Sequence, residues 1–112
     1  MIRNTLERRR GTEPRDRIEI VEDARHAALA ASWIAHESVG WSRRYAIAED
    51  DAAEAVRAAI RARIAAEHAE HAGSEDEAML ASRAAWAAVM SAHEADGRVV
   101  SSIADAMSTP GP

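Results

Sequence analysis

Alanine recurs along this chain in steps of four and three residues, the spacing of a helix face that meets a partner helix. Two segments repeat the spacing in pure alanine, and a third combines alanine with isoleucine. These alanine seams are Ala58, Ala62, Ala65, Ala69 and Ala72; Ala81, Ala85, Ala88, Ala92 and Ala95; and Ile20, Ala24, Ala27, Ala31 and Ile34. Because alanine lets helices approach toward the close end of the roughly 8–10 Å interaxial range, the seams predict an all-α fold, a small antiparallel bundle.

The predicted core is thin. Of 112 residues, 28 are alanine and only 17 are leucine, isoleucine or valine. Burial stabilises a fold by about 25 cal/mol per Å² of apolar surface, and alanine offers little surface. A chain of this length is one domain or one subunit. We therefore expect it to need further buried surface, from a second copy or from a larger partner.

Charge and composition restrict the class of protein. The net charge of −5 argues against a chain built to coat nucleic acid, and the absence of cysteine excludes disulfides and thiolate chemistry. All 14 basic residues are arginine, which with the abundant alanine is typical of a GC-rich bacterial or phage genome. Such bias explains some of the alanine but not its spacing. Lacking a long apolar run or signal core, the chain is expected in the cytoplasm or a virion, not in a membrane.

The chain divides into a basic arm over residues 1–13, a helical bundle domain over 14–107 and a flexible tail over 108–112. Residues 1–17 carry six arginines against three acids. A basic arm on an acidic body suggests a contact with nucleic acid or with an acidic partner. A solvated, frayed terminus is the simpler interpretation. The candidate nucleic-acid contacts are Arg3, Arg8, Arg9, Arg10, Arg15 and Arg17.

Glycine and the apolar spacing predict three main helices and a short fourth one. Gly40 is expected to end the first helix and Gly97 the third. The Ser74-Glu75-Asp76-Glu77 sequence is a capping box that begins the third helix. The expected spans are about 14 or 16 to 38, 49–72, 75–95 and 98–107.

Several large side chains lie off the alanine seams. Leu29 and Trp33 share a charged face of the first helix, and a second face of helix three carries Trp86 and Met90. Such groups often mark contact surfaces. Helix two has a second apolar face, with Ile60 and Ile64, which must also be buried by a neighbour. The first helix can bury one of the two second faces, on helix two or on helix three, and a second copy can bury the other.

The connection over residues 40–48 concentrates aromatic rings and arginines, a composition found at protein interfaces. Its rings also suit a simpler role, capping one end of the bundle. The predicted partner-binding residues are Leu29, Trp33, Trp41, Tyr45, Trp86 and Met90.

A histidine and glutamate cluster near the end of the second helix is the weak candidate for a metal site. His68 and His71 are three residues apart, and Glu67 and His71 four apart, so either pair can present two ligands on one helix face. The Glu-x-x-His motif of di-iron bundles is absent. Histidines that complement the helix dipole are the simpler interpretation. The weak candidate ligands are Glu67, His68, Glu70 and His71.

No phosphate-binding loop, nucleophile elbow or catalytic carboxylate pair is visible in the sequence. The pattern favours a non-enzymatic interaction or assembly subunit that binds itself or a larger protein and needs no cofactor. One alternative is a nucleic-acid-associated protein that uses the basic arm. Another is a helical accessory subunit of a larger enzyme, or a weak metal binder.

Overall fold

Residues 16–108 are described by the computed structural model, and they form three α-helices with no β-strand among them. Helix α1 spans Asp16–Tyr45, α2 spans Glu49–Glu70 and α3 spans Glu75–Ser108. Each helix packs against the other two. The predicted all-α class is therefore confirmed. The basic arm, residues 1–13, and the last four residues lie outside the described part.

The predicted fourth helix is wrong, because α3 continues without a break through Gly97 to Ser108. Helix α1 likewise continues through Gly40 to Tyr45. A glycine inside a helix costs only about 1 kcal/mol relative to alanine, and packing outweighs that cost on both helices. Val99, beyond Gly97, and Ser42, beyond Gly40, are buried. Ser108, which was expected in the tail, is the last residue of α3.

Both glycines should be sites where alanine stabilises the protein. A Cβ atom built on Gly40 or Gly97 meets no atom within 4 Å. We expect Gly97→Ala to raise the free energy of unfolding by about 0.5–1 kcal/mol, because alanine loses less backbone entropy in a helix. Thermal unfolding followed by circular dichroism would measure the gain. Gly73→Ala, in the turn before α3, is the control without this benefit; an equal change in both variants would contradict the explanation.

The alanine seams form the core. Ile34, Ala72 and Ala81 are half-buried, and every other seam residue is buried. The buried residues shared by the three helices are mostly alanines. Among residues 16–108, the only fully buried apolar side chain larger than alanine is that of Val99. The helices therefore pack through small side chains, and the larger ones are left outside.

Polar contacts between the helices set their register. Arg25 pairs with Glu70 at 2.9 Å, which places the start of α1 beside the end of α2. The Arg98 Nε donates to Asp51 Oδ1 at 2.8 Å, so the start of α2 lies beside the later part of α3. Buried Ser38 of α1 donates its hydroxyl to Asp96 of α3 at 2.5 Å.

The two connections are short and differ in their chemistry. Ser74 and Glu77 form the expected capping contacts: the Glu77 N–H donates to Ser74 Oγ at 3.1 Å. The Glu77 carboxylate accepts a hydrogen bond from the Gly73 N–H at 2.9 Å. A capping box predicts the Ser74 N–H as this donor, one residue later in the chain. Between α1 and α2, Ala46 and Ala48 adopt left-handed backbone conformations, with φ of 51° and 57°. This backbone conformation is energetically unfavourable for alanine.

Candidate interaction surfaces

The large apolar side chains of the described residues lie mainly on the outside of the helices. This is the reverse of an ordinary small domain, where leucine, isoleucine and phenylalanine fill the interior. Fourteen of them are classed as exposed: Ile18, Leu29, Trp33, Trp41, Tyr45, Val56, Ile60, Ile64, Met79, Leu80, Trp86, Met90, Val100 and Met107. The six predicted partner-binding residues are among them, but they do not form one continuous surface.

Leu29 and Trp33 form an outer patch on α1, together with Ser32 and His36 around a shallow pocket. The two apolar side chains are 67% and 68% exposed, the highest values among the large apolar residues. The Trp33 ring stacks on the His36 ring, with centroids 5.9 Å apart and an interplanar angle of 6°. The outer patch thus presents a large, preordered ring to solvent.

A terminal groove opens where α1 ends beside the last turns of α3. Trp41 and Tyr45 stack with ring centroids 6.0 Å apart, and the Arg44 guanidinium lies 5.7 Å from the Tyr45 centroid. The groove has a volume of about 330 Å³, and α3 supplies its other wall. Its lining residues are Trp41, Tyr45, Val100, Ile103, Ala104 and Met107.

Sequence reasoning placed Trp41 and Tyr45 in a connection and Val100, Ile103 and Met107 in a separate helix. It therefore missed the terminal groove. The apolar spacing of the last helix was visible, but its neighbour depends on the register between α1 and α3. That register is set by contacts between residues far apart in the chain, such as Ser38 and Asp96.

Trp86 and Met90 have different environments. The Trp86 Nε1–H donates to Asp23 Oδ2 at 2.9 Å, which ties the ring to α1 and leaves it 38% exposed. Met90 is 60% exposed. Helix α1 thus covers part of the Trp86 face, whereas Ile60 and Ile64 of α2 remain exposed.

The candidate metal ligands are not brought together as a metal site. Glu70 pairs with Arg25 of α1, and the His71 Nδ1 lies 2.9 Å from the Glu67 backbone carbonyl oxygen. His68 and His71 border a shallow pocket with Glu77. Among residues 16–108 no group of three or more histidine, aspartate or glutamate side chains is placed to hold a metal ion.

Of the six arginines proposed to contact nucleic acid, only Arg17 lies within the described residues. Its guanidinium donates to the backbone carbonyl of Ala72, so this arginine joins α1 to the end of α2. Arg3, Arg8, Arg9, Arg10 and Arg15 lie outside the described part.

Within residues 16–108, two charged groups have shifted pKa values, and neither lines the outer patch or the terminal groove. Hydrogen bonds from Arg57 and Arg61 hold the pKa of the Glu54 carboxyl below its ordinary value. The hydrogen bond to Asp51 raises the pKa of Arg98. Because solvent screens such pairs, they add little stability. The Glu54 pairs lie within α2, whereas the Arg98–Asp51 pair joins α3 to α2.

Comparison with protein-family models, curated proteins and solved structures finds no match to this chain. Within the described residues, no helix combines the length and apolarity that crossing a membrane requires.

Proposed function

We propose that this chain is a non-enzymatic interaction or assembly subunit: an antiparallel helical bundle that pairs with itself or docks on a larger protein. The observation that carries the proposal is the inverted distribution of its apolar side chains. Alanine fills the interior, while three tryptophans, three methionines and several isoleucines and leucines are exposed.

Side-chain size limits the stabilisation that the interior of this bundle provides. Fully burying a large apolar side chain stabilises a structure by about 1.5–3 kcal/mol relative to leaving it exposed. The alanine core supplies little of this stabilisation, whereas a partner that covers Leu29, Trp33 or Met107 would supply it. Aromatic residues and methionine are also enriched at protein interfaces. Association thus offers this chain a burial of large side chains that its alanine interior lacks.

The solution mass of the untagged protein tests this proposal. We would measure it by light scattering over a concentration series, with circular dichroism on the same samples. A helical species whose mass exceeds that of the monomer supports self-assembly. A weakly helical monomer supports docking on another protein, which would supply the missing core. A fully helical, thermally stable monomer at every concentration would contradict the need for a partner.

Substitution of Trp33 tests the outer patch. We expect Trp33→Ala to lower the mass reached at the highest concentrations, because it removes the most exposed ring, while the unfolding temperature at low concentration changes little. Truncation of a central aromatic contact commonly costs at least about 2 kcal/mol of binding, roughly a thirtyfold loss of affinity. Glu37→Ala, an exposed change on the same helix, is the control. Unchanged association in Trp33→Ala would rule out the outer patch.

A further inference from the structure

We infer that two copies of this chain pair through the terminal groove, around a two-fold axis near Ala104. In this pair, Met107 of each copy lies on Trp41 and Val100 of the other. The inference rests on the proposed function, because it names a second copy as the occupant of one exposed surface. The outer patch lies elsewhere on α1 and would make a separate contact.

The end of α3 projects beyond its neighbours. Asp23 contacts Ser82 and Ser38 contacts Asp96, so residues of α1 and α3 that meet are 58 or 59 positions apart. Tyr45, the last residue of α1, is therefore level with residues 103 and 104. Asp51 in the first turn of α2 meets Arg98. The last turn of α3 thus extends past the end of α1 and the start of α2.

This end contains both parts of a self-complementary interface. Val100, Ala104 and Met107 are spaced by four and three residues, as on a helix face that meets another helix. Trp41 is level with residues 99 and 100 by the same register. If two α3 segments cross in opposite directions at Ala104, Met107 reaches the level of residues 100 and 101 of the other copy. There its sulfur can contact the Trp41 ring, a favourable pairing.

A two-fold axis uses the same patch on both subunits, so one kind of chain suffices for this interface. The small Ala104 side chain lets the helices approach closely at the axis. Met107 supplies the ridge, and the exposed Trp41 and Val100 side chains supply the surface that receives it. The alternative occupant, a different helical protein, would have to reproduce this ridge.

Among the described residues, charge opposes self-association less at this end of the bundle than at the other. Residues 41–51 and 96–108 carry three arginines against five acids, a net charge of −2. The opposite end, residues 16–26 and 67–77, carries two arginines against nine acids, a net charge of −7. Like charges brought together oppose association. Two copies therefore meet with less repulsion at the terminal groove.

Engineered cysteines would locate the contact, since the chain has no cysteine of its own. Ala104→Cys should form a disulfide-linked dimer under mild oxidation at least tenfold faster than Ala87→Cys. Both positions are exposed alanines of α3, but only Ala104 is near the proposed axis, where two Cβ atoms can come within the roughly 3.5–4.5 Å that a disulfide needs. Equal rates of cross-linking would overturn the inference.

A matched pair of methionine substitutions tests the same interface in the absence of cross-linking. Met107 and Met90 are 65% and 60% exposed on one helix, so glutamate should be equally tolerated at both. We expect Met107→Glu to lower the dimerisation constant, measured by sedimentation equilibrium, at least tenfold, and Met90→Glu to change it less than twofold. Loss of dimers in Met90→Glu alone would overturn the terminal groove as the interface.

These outcomes separate the inference from the proposed function. Association that survives Met107→Glu but is lost in Trp33→Ala would overturn pairing through the terminal groove and retain an assembly subunit. A stable helical monomer at all concentrations would overturn both. Loss of dimers in Met107→Glu, with normal helicity and fast cross-linking of Ala104→Cys, would support both.

Discussion

Replacing Ala62 by leucine is expected to destabilise the three-helix structure by about 3 kcal/mol or more, enough to unfold a marginal domain. Ala62 is at the middle of the α2 seam and is fully buried in the core shared with α1 and α3. Leucine adds three carbon atoms, and all the buried residues of this core except Val89 are alanines. Such neighbours have no side-chain rotamers that could make room, so the helices must separate.

Circular dichroism during thermal unfolding at one fixed concentration would measure this effect. Ala87→Leu is the control, because Ala87 is an exposed alanine on α3 and leucine has nearly the same helix propensity as alanine. We expect its stability to stay within about 0.5 kcal/mol of the original protein. An unfolding temperature for Ala62→Leu equal to that of the control would show that the helices do not pack through alanine.

Loss of the Ser38 hydroxyl is expected to have the second largest effect, a destabilisation of about 1.5–3 kcal/mol, the usual contribution of a hydrogen bond to a charged group. Ser38 is fully buried, and its hydroxyl donates to Asp96 Oδ1 at 2.5 Å. Ser38→Ala removes this donor and leaves a carboxylate oxygen of half-buried Asp96 without its hydrogen bond from α1. The contact also sets the register between α1 and α3, on which the terminal groove depends.

The sign of the effect makes this prediction easy to check. Alanine is a better helix former than serine by about 0.5 kcal/mol, so Ser→Ala at an exposed helical position should stabilise the protein slightly. Ser101→Ala on α3 is that control. Urea unfolding should therefore move the two variants in opposite directions. Stabilisation of both variants would mean that the Ser38–Asp96 hydrogen bond contributes nothing to folding.

The agreement between sequence and structure is best for the seams. Helical spacing alone identifies which residues of a helix share a face, and the residues identified in this way are buried or half-buried. The start of α3 was also correct, because the Ser74 and Glu77 contacts are local and depend on a few neighbouring residues. Periodicity and capping are properties of short segments, which is why sequence reasoning can identify them.

The errors at Gly40 and Gly97 have a common physical cause. A glycine favours the end of a helix only when no packing energy is gained by continuing. Here Ser42 and Val99, both beyond the glycines, are buried. Burial depends on how the three helices pack together, which a local signal does not specify, so the glycines predicted two helix ends that do not exist.

The sequence by itself determined that this chain is helical, that alanine faces are its packing surfaces and that its large apolar side chains are too few to build a conventional core. Tertiary structure decided which exposed side chains lie together. Trp86 is joined to Asp23, Trp33 stacks on His36, and Trp41 meets the end of α3 at the terminal groove. The reason is that spacing along one helix specifies a face, whereas neighbours across helices depend on their register, which the contacts of Ser38 and Asp23 with α3 establish.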